Sequence, residues 1–339
     1  MSHLIRSPLR TCLLSGGMAL LSAAMPAGAA SHETGGWKVV WSDEFSGTEL
    51  DRTKWAPEEA CWGGGNNERQ CYTDREDNIV VEDGVLRLVA QKERFTGPHH
   101  PAGKSQRGEW TTQEYTSGKI RTSGLADWTY GRFSARMKLP EGQGTWPALW
   151  MMPSDAVYGE WPLSGEIDIM EAVNLETPCE ECEGGIETRT SGALHFGGRP
   201  PENTYLYLKT EGKSEPLPSK GWNTYTVEWA EGTIQWFVND ELFMRLDHDD
   251  WYTDAPEAEG RTYAPFDQPF YLMLNLAVGG NLPEKSNGAG FDETSFPAEL
   301  LVDWVKVEQC AEDPETGRAC LTQQEWSGTP MGPWETMAR

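Results

Sequence analysis

The sequence predicts an all-β protein, a sandwich of two antiparallel sheets. Two observations carry this prediction: short runs that alternate polar and apolar residues, and turns rich in Gly, Asn and Asp between those runs. Alternation with a period of two places the apolar side chains on one face of a strand. Several short strands joined by such turns are typical of a sandwich, and no long stretch has a helical period.

The individual strands follow in order along the chain. Residues 78–88 predict a β-hairpin with Asp83-Gly84 as its two-residue turn. Residues 131–139 alternate without interruption, as a half-buried strand does. The remaining predicted strands lie in residues 224–246, with turns at Glu231-Gly232 and Asn239-Asp240, and in residues 270–278 and 300–307.

Residues 1–30 are typical of a secretory signal peptide. Arg6 and Arg10 form a basic start, residues 11–25 are mostly apolar or small, and Ala27-Gly28-Ala29 offers a small-residue cleavage site. The apolar stretch is short and broken for a stable membrane span, although a retained anchor is the alternative. We therefore predict a secreted protein, extracellular or periplasmic, with no membrane association after removal of the segment.

The rest of the chain predicts one large β domain, residues 31–309, followed by a C-terminal extension, residues 310–339. No Pro/Ser-rich linker or abrupt change of composition divides the domain. The extension contains Pro, Gly and Thr and shows little periodicity. We expect it to be an appendage of the domain and not a binding module.

Six cysteines remain once Cys12 leaves with the signal peptide. An even number of cysteines in an exported chain predicts disulfides, but the sequence leaves their connectivity open. A zinc site at Cys179 and Cys182 is not favoured, because no second ligand pair with zinc-like spacing follows. A bridge between Cys310 and Cys320 would hold the extension.

The formal net charge is −25, and it becomes more negative when Arg6 and Arg10 are removed. Such a charge disfavours nucleic acid, anionic lipid and strongly anionic polymers as partners. We expect a monomer with neither a nucleic-acid nor a membrane partner.

Three carboxylates, those of Glu166, Asp168 and Glu171, interrupt an apolar run that otherwise predicts a buried strand. Acids among Ile, Met and Val are costly unless they pair, protonate or do chemistry; the alternative is a surface strand with solvated acids. Glu166 and Asp168 share a face of the strand, whereas Glu171 points away unless a β-bulge adds one residue. With the bulge, leaning side chains approach the roughly 5–5.5 Å carboxyl separation of a retaining glycosidase. The pattern therefore predicts a catalytic site.

The segment Glu166-Ile167-Asp168-Ile169-Met170-Glu171 resembles the active-site motif of glycoside hydrolase family 16, in the bulged form found in laminarinases and their relatives. The resemblance extends over residues 37–308 and implies a β-jelly roll with a substrate groove on its concave face. The other segments that carry it are residues 40–45 (VWSDEF), 50–55 (LDRTKW), 62–68 (WGGGNNE), 144–151 (GTWPALWM), 193–198 (ALHFGG), 275–281 (NLAVGGN) and 302–305 (VDWV).

The resemblance also implies a role for each carboxylate. Glu166 would be the nucleophile, Glu171 the general acid/base, and Asp168 the residue that adjusts the pair. A nucleophile must stay ionised while its partner keeps a proton at neutral pH, and a third carboxyl between them can separate the two pKa values. No cofactor is expected for catalysis.

The abundance of tryptophan favours a sugar ligand. The chain has 16 Trp against ten Phe and ten Tyr, and an indole offers a flat apolar face together with an N–H donor. Trp146, Trp150 and Trp161 are close in sequence to the carboxylates and are predicted to line the groove, with core packing as the alternative for each.

Three further residues are candidates for binding substrate. The resemblance places His195 near the scissile bond, although a lone strand histidine is commonly structural. Asn67, on the glycine-rich loop, either binds a sugar hydroxyl or serves the turn. Asn275 is the third candidate.

Many members of the family hold a structural calcium on the convex side. The matching positions here are Glu44, the main-chain carbonyl of Gly84, and Asp303. A mixed set of carboxylate and carbonyl oxygens suits Ca²⁺.

The resemblance implies an endo-hydrolase of β-1,3-glucan such as laminarin, with mixed-linkage β-1,3-1,4-glucan as a further substrate. Two alternatives stay open: an enzyme of the same family that cleaves agar or another galactan, and a non-catalytic β-glucan-binding protein. A sulfated galactan calls for a basic groove, which the acidity disfavours. Non-catalytic relatives typically lack one or both catalytic glutamates, and this chain keeps both.

Overall fold

A computed structural model describes residues 36–102 and 108–333 of the chain. The predicted signal peptide, residues 1–30, lies outside these residues. The described part contains 17 strands and one short α-helix. The strands are β1 (Trp37–Asp43), β2 (Ala56–Pro57), β3 (Gln70–Tyr72), β4 (Ile79–Glu82), β5 (Val85–Pro98), β6 (Trp110–Ser117), β7 (Lys119–Arg121), β8 (Gly131–Lys138), β9 (Thr145–Pro153), β10 (Glu166–Glu171), β11 (Ser191–Gly197), β12 (Asn203–Lys209), β13 (Asn223–Ala230), β14 (Thr233–Val238), β15 (Glu241–Asp247), β16 (Phe270–Val278) and β17 (Ala298–Cys310), and the helix is α1 (Asn281–Ser286). Within the described ranges no helix is long and apolar enough to cross a membrane.

The strands form two sheets, as predicted for a β-jelly roll. The ten-stranded sheet has the order β15-β14-β13-β8-β17-β5-β6-β3, with β1 beside β17 and β4 beside β5. The seven-stranded sheet has the order β12-β11-β10-β9-β16-β7-β2. Among the described strands one pairing departs from the antiparallel prediction, because β3 lies parallel to β6. The three-residue β3 ends the sheet, and its Tyr72 also forms an isolated antiparallel bridge with Ala60.

The predicted turns are confirmed. Asp83-Gly84 joins β4 to β5, and both residues have positive φ, as the tight hairpin turn that matches the twist of the strands requires. Asn239-Asp240 joins β14 to β15 in the same way. Glu231-Gly232 joins β13 to β14.

The core lies between the two sheets and contains large aromatic side chains. Trp55, Trp229, Trp236, Phe133 and Phe270 are fully buried there. The opposite face of the seven-stranded sheet, which we call the open face, carries the polar and aromatic residues of its strands. This division places every functional candidate of β9, β10 and β11 on one surface.

The cysteines form the disulfides Cys61–Cys71, Cys179–Cys182 and Cys310–Cys320. The pairing between neighbours in sequence resolves the connectivity that the sequence left open. The third bridge ties the start of the C-terminal extension to the end of β17. Beyond it, Thr322 hydrogen-bonds Glu228 of β13, and Met331 pairs with Tyr207 of β12.

Candidate active site

A β-bulge in β10 sets the direction of its carboxylates. Asp168 opposes Trp150 of β9, and Glu171 opposes Ala148, so three steps along β10 match two along β9. Directly opposed residues of an antiparallel pair share a face of the sheet. Asp168 and Glu171 therefore both project from the open face, and the pairing with β11 shows the same offset.

The apolar residues of the same strand serve the core. Ile167, Ile169 and Met170 are buried in the cluster between the sheets. The acids and the hydrophobic residues of this run thus lie on opposite faces of β10. The alternative of a surface strand with solvated acids does not describe β10, because one face of this strand is buried in the core.

The second sheet supports the bulge from below. The indole N–H of Trp236, on β14, donates to the main-chain oxygen of Asp168 at 2.8 Å. Gly192 of β11 leaves room for this ring, because a Cβ there would lie 2.4 Å from Cδ1 of Trp236. A buried donor aimed at a peptide carbonyl fixes the backbone where the register shifts.

Each glutamate accepts a hydrogen bond from an indole. Trp146 Nε1 donates to Oε1 of Glu171 at 2.9 Å. Trp161 Nε1 donates to Oε2 of Glu166 at 2.5 Å, and the Trp161 side chain is well exposed. The structure therefore places both tryptophans beside the carboxylates and not in the core.

Trp150 and Asn275 also lie on the open face. Trp150 Nε1 donates to Oδ1 of Asn275 at 2.7 Å. Asn275, on β16, opposes Ala148, which in turn opposes Glu171. These two candidates are thus neighbours of the carboxylates along the sheet, and their polar groups already pair with each other.

His195 completes the cluster. On β11 it opposes Glu166, and its Nε2 lies 3.4 Å from Oδ2 of Asp168. One ligand-type atom from each of Glu166, Asp168 and His195 lies within 4.8 Å of the others. The cluster is therefore compact enough for its charges to control one another.

Burial and charge shift the pKa values of three groups. Burial, together with the charges of Glu166 and Glu171, raises the pKa of Asp168 well above its ordinary value. Burial also raises the pKa of Glu171, while the charge of His195 and the N–H of Trp146 oppose this rise. Burial alone would lower the pKa of His195, but the charge of Glu166 and the hydrogen bond and charge of Asp168 raise it to about 9.

The arrangement can perform acid–base and nucleophilic chemistry together. Burial raises the pKa of Glu171, which favours the protonated form that a general acid needs. Glu166 lies on the same face as Glu171 and opposes His195 across β10 and β11. One group can therefore protonate a leaving oxygen while the other attacks the carbon that the oxygen leaves.

Asn67 occupies a loop position apart from this cluster. Its backbone is left-handed, with a φ of 58°, and its Nδ2 donates to Oδ1 of Asn281 at 3.0 Å. Both features are typical of turn chemistry, and its side chain is exposed. The bond links the glycine-rich loop to the start of α1.

Sequence reasoning missed a buried ionic group on the open face, towards the β7 end of the sheet. Glu58 accepts from Arg121 Nη1 at 2.9 Å and lies 3.2 Å from Lys119 Nζ. Lys119 opposes Asn275 across β7 and β16, so the two cations share the open face with it. The alternation Lys119-Ile120-Arg121 was the available signal, because it places two cations on one face of a strand. Their acidic partner, Glu58, lies some 60 residues earlier in the chain.

The three calcium candidates lie on or beside neighbouring strands of the ten-stranded sheet. Asp43 of β1 opposes Val305, and Leu86 of β5 opposes Val302, so Glu44 and Gly84 both lie near Asp303 of β17. Glu44 lies 3.4 Å from Lys306 Nζ, and Asp303 pairs with Arg136. Both acids are therefore paired with a cation in this structure, and the Ca²⁺ site that the resemblance implies stays a prediction.

Comparisons with known proteins show what the whole chain is similar to. The family model described as Glycosyl hydrolases family 16 matches residues 67–306. The chain is 39% identical over 283 residues to the glucan endo-1,3-beta-glucosidase A1 of Niallia circulans, covering 80% of this chain and 38% of that protein. It is 38% identical over 299 residues to the beta-glucanase of Rhodothermus marinus, covering 86% of this chain and 92% of that protein. The chain therefore spans less than half of the Niallia relative and nearly all of the Rhodothermus one.

A solved structure shares the fold. The X-ray structure of the laminarinase from Rhodothermus marinus superposes with a TM-score of 0.62 at 35% sequence identity. The match covers 80% of this chain and 97% of the laminarinase chain.

Proposed function

The chain belongs to glycoside hydrolase family 16, and we propose that it is a secreted, retaining endo-hydrolase of β-1,3-glucan that also accepts mixed-linkage β-1,3-1,4-glucan. The observation that carries this proposal is the presence of Glu166 and Glu171 on one face of β10, each bound by an indole N–H. The names of the relatives, a glucan endo-1,3-beta-glucosidase and a beta-glucanase, support the substrate.

The two glutamates have different roles in the proposed reaction. Glu171 donates its proton to the glycosidic oxygen while Glu166 attacks the anomeric carbon, which forms a glycosyl ester and releases the leaving chain. Glu171, now ionised, takes a proton from water, and that water opens the ester with overall retention. Asp168 and His195 influence the charges of Glu166 and Glu171 from beside them, and neither forms a covalent bond to the sugar.

The residues around the carboxylates provide the sugar contacts. Trp146 and Trp161 place their indoles beside the two glutamates, and Trp150 with Asn275 extends this surface by one strand. We propose that Asn67 contacts a hydroxyl further along the groove. Flat rings against C–H faces and amides against hydroxyls are the contacts that a neutral polysaccharide offers.

The first test is reducing-sugar release from laminarin by the wild-type protein, Glu166→Gln and the control Glu241→Gln. Glu241 is an exposed acid at the start of β15 in the other sheet. We expect turnover by the wild type and the control and almost none by Glu166→Gln. Normal turnover by Glu166→Gln would show that another group is the nucleophile.

The stereochemical outcome tests the mechanism separately. Proton NMR of the first products should show the β-anomer before mutarotation. A 2-fluoro-laminaribiosyl inactivator should lose its anomeric leaving group and add the mass of the fluorinated disaccharide at Glu166 in a peptide digest. An α-anomer would exclude retention, and a label on Glu171 would reverse the two roles.

A substrate panel separates the alternatives. Laminarin, lichenan, agarose and κ-carrageenan digests read by thin-layer chromatography should show products from the first two. Products from agarose in place of laminarin would favour a galactan-cleaving enzyme. Tight laminarin binding without products would favour a non-catalytic glucan-binding protein.

We propose in addition that the mature protein is a secreted monomer with one structural calcium and no catalytic cofactor. The basic and apolar character of residues 1–30 supports export. Activity in the culture medium and a monomeric mass by light scattering are the expected results.

A further inference from the structure

The open face carries a second group of aromatic side chains, beyond the carboxylates. Glu166 opposes His195, and His195 opposes Tyr205 of β12, so the three stand in one row across the sheet. The ring centroids of His195 and Tyr205 are 5.5 Å apart, and those of Tyr205 and Tyr207 are 6.0 Å apart. Aromatic side chains therefore continue from the catalytic cluster to the edge strand.

These tyrosines face outwards and not into the core. Residues two apart on a strand share a face, and the alternate residues of β12, Thr204 and Leu206, are the buried ones. Tyr205 is 38% exposed although it lies beside a compact polar cluster. An exposed apolar group continuous with an active site is commonly a ligand contact.

The C-terminal extension adds a further residue to this surface. The N–H and C=O of Met331 pair with the C=O and N–H of Tyr207, both at 2.8 Å. Because directly opposed residues share a face, the Met331 side chain lies beside Tyr207 on the open face, and it is 42% exposed. Gly332 follows so close to β12 that a Cβ there would lie 2.1 Å from the main-chain oxygen of Tyr205.

We propose that Tyr205, Tyr207 and Met331 form an accessory sugar subsite, which binds the neutral glucan chain on the His195 side of the scissile bond. This inference rests on the proposed function. The subsite lies two strand spacings from β10, roughly 10 Å, so a substrate with a single sugar on this side of the scissile bond does not reach it. It therefore contributes to long chains only, and the extension is part of it.

The test compares kcat/KM for short and long laminari-oligosaccharides. In Tyr205→Ala/Tyr207→Ala we expect the long-to-short ratio to fall roughly tenfold, the change that loss of a well-packed apolar contact gives. Tyr205→Phe, which keeps the ring, should retain the ratio. Trp110→Ala removes an exposed aromatic residue from β6 and is the matched control.

The extension is tested without changing any side chain of the subsite. Gly332→Val should lift the extension from β12 and lower the same ratio, while Thr329→Val, at an exposed position of the same segment, should not. An unchanged ratio in Gly332→Val would remove Met331 from the subsite. An equal loss on short and long substrates, or no loss in the double variant, would overturn the proposal.

Binding separates this proposal from the proposed function. In the Glu166→Gln background, calorimetry should give tighter binding of long than of short oligosaccharides, and Tyr205→Ala/Tyr207→Ala should abolish that difference. If the wild-type protein hydrolyses nothing but the difference is present, the hydrolase assignment fails and the subsite stands. Equal affinities for long and short chains would overturn the subsite even if hydrolysis is normal.

Discussion

Nε2 of His195 lies 3.4 Å from Oδ2 of Asp168, which places one cationic group among three carboxylates. Without this cation, the negative charges of Glu166, Asp168 and Glu171 on one face of β10 would have no positive group between them. The imidazole reduces their repulsion and is itself held protonated by them, which is why its pKa rises to about 9 despite burial.

The stabilising effect of His195 should therefore depend on pH. A group whose pKa is higher in the folded than in the unfolded protein stabilises the fold below its unfolded value, 6.5, and loses that effect as pH rises through about 9. We expect His195→Gln to lower the melting temperature most at about pH 6 and least above about pH 9. His248→Gln, at an exposed histidine, is the control. A difference that stays constant across this range would mean that His195 is neutral.

Trp146 should set the alkaline limit of activity. Its N–H bond lowers the pKa of Glu171, which burial has raised, so Trp146→Phe should raise that pKa further. The alkaline limb of kcat/KM against pH should then move upward. Trp150→Phe removes an indole that donates to Asn275, so it should leave the limb in place. A downward move in Trp146→Phe would contradict Glu171 as the acid.

Glu171→Gln should lose proton transfer and keep the nucleophile. We expect kcat on laminarin to fall by about 10²- to 10⁴-fold, and the alkaline limb to disappear. An aryl glucoside substrate, whose leaving group needs no proton, should lose much less in the first step. Azide should then restore turnover by opening the glycosyl ester and give a β-glycosyl azide. An α-azide product would instead identify Glu171 as the nucleophile.

Local features of this fold were predictable from the sequence. The turn at Asp83-Gly84 depends on two adjacent residues, and the bulge follows from the parity of Glu166 and Glu171 within one strand. Both are decided by neighbours in the chain, so the sequence contains the information directly.

Contacts between distant segments were not predictable in this way. Trp236 supports Asp168, and Met331 pairs with Tyr207, because two sheets and an extension pack together in three dimensions. No local pattern gives the order of strands. The same limit applies to Glu58, whose cationic partners lie on a strand far along the chain.

Calcium should stabilise the protein without taking part in catalysis. We expect EDTA to lower the melting temperature and added Ca²⁺ to restore it, because Asp303 and Glu44 then lose or regain a shared cation. Asp303→Asn should melt at the same temperature with and without EDTA. Glu82→Gln, at a neighbouring exposed acid before the turn, should keep the wild-type response. An identical wild-type melt with and without EDTA would exclude the site.

Trp236 should support activity through the backbone of Asp168. Trp236→Phe removes a buried donor and leaves the main-chain oxygen of Asp168 unpaired, so we expect a loss of about 1–3 kcal/mol in the free energy of unfolding. Because that oxygen lies at the bulge, kcat should also fall at temperatures well below the melting point. Trp229→Phe is the matched control, since Trp229 is equally buried but donates to the main-chain oxygen of Phe266, away from β10. If both variants lose the same stability but only Trp236→Phe loses kcat, the opposite sheet holds the bulge in its geometry. If both variants have the same kcat, β10 keeps its bulge without Trp236.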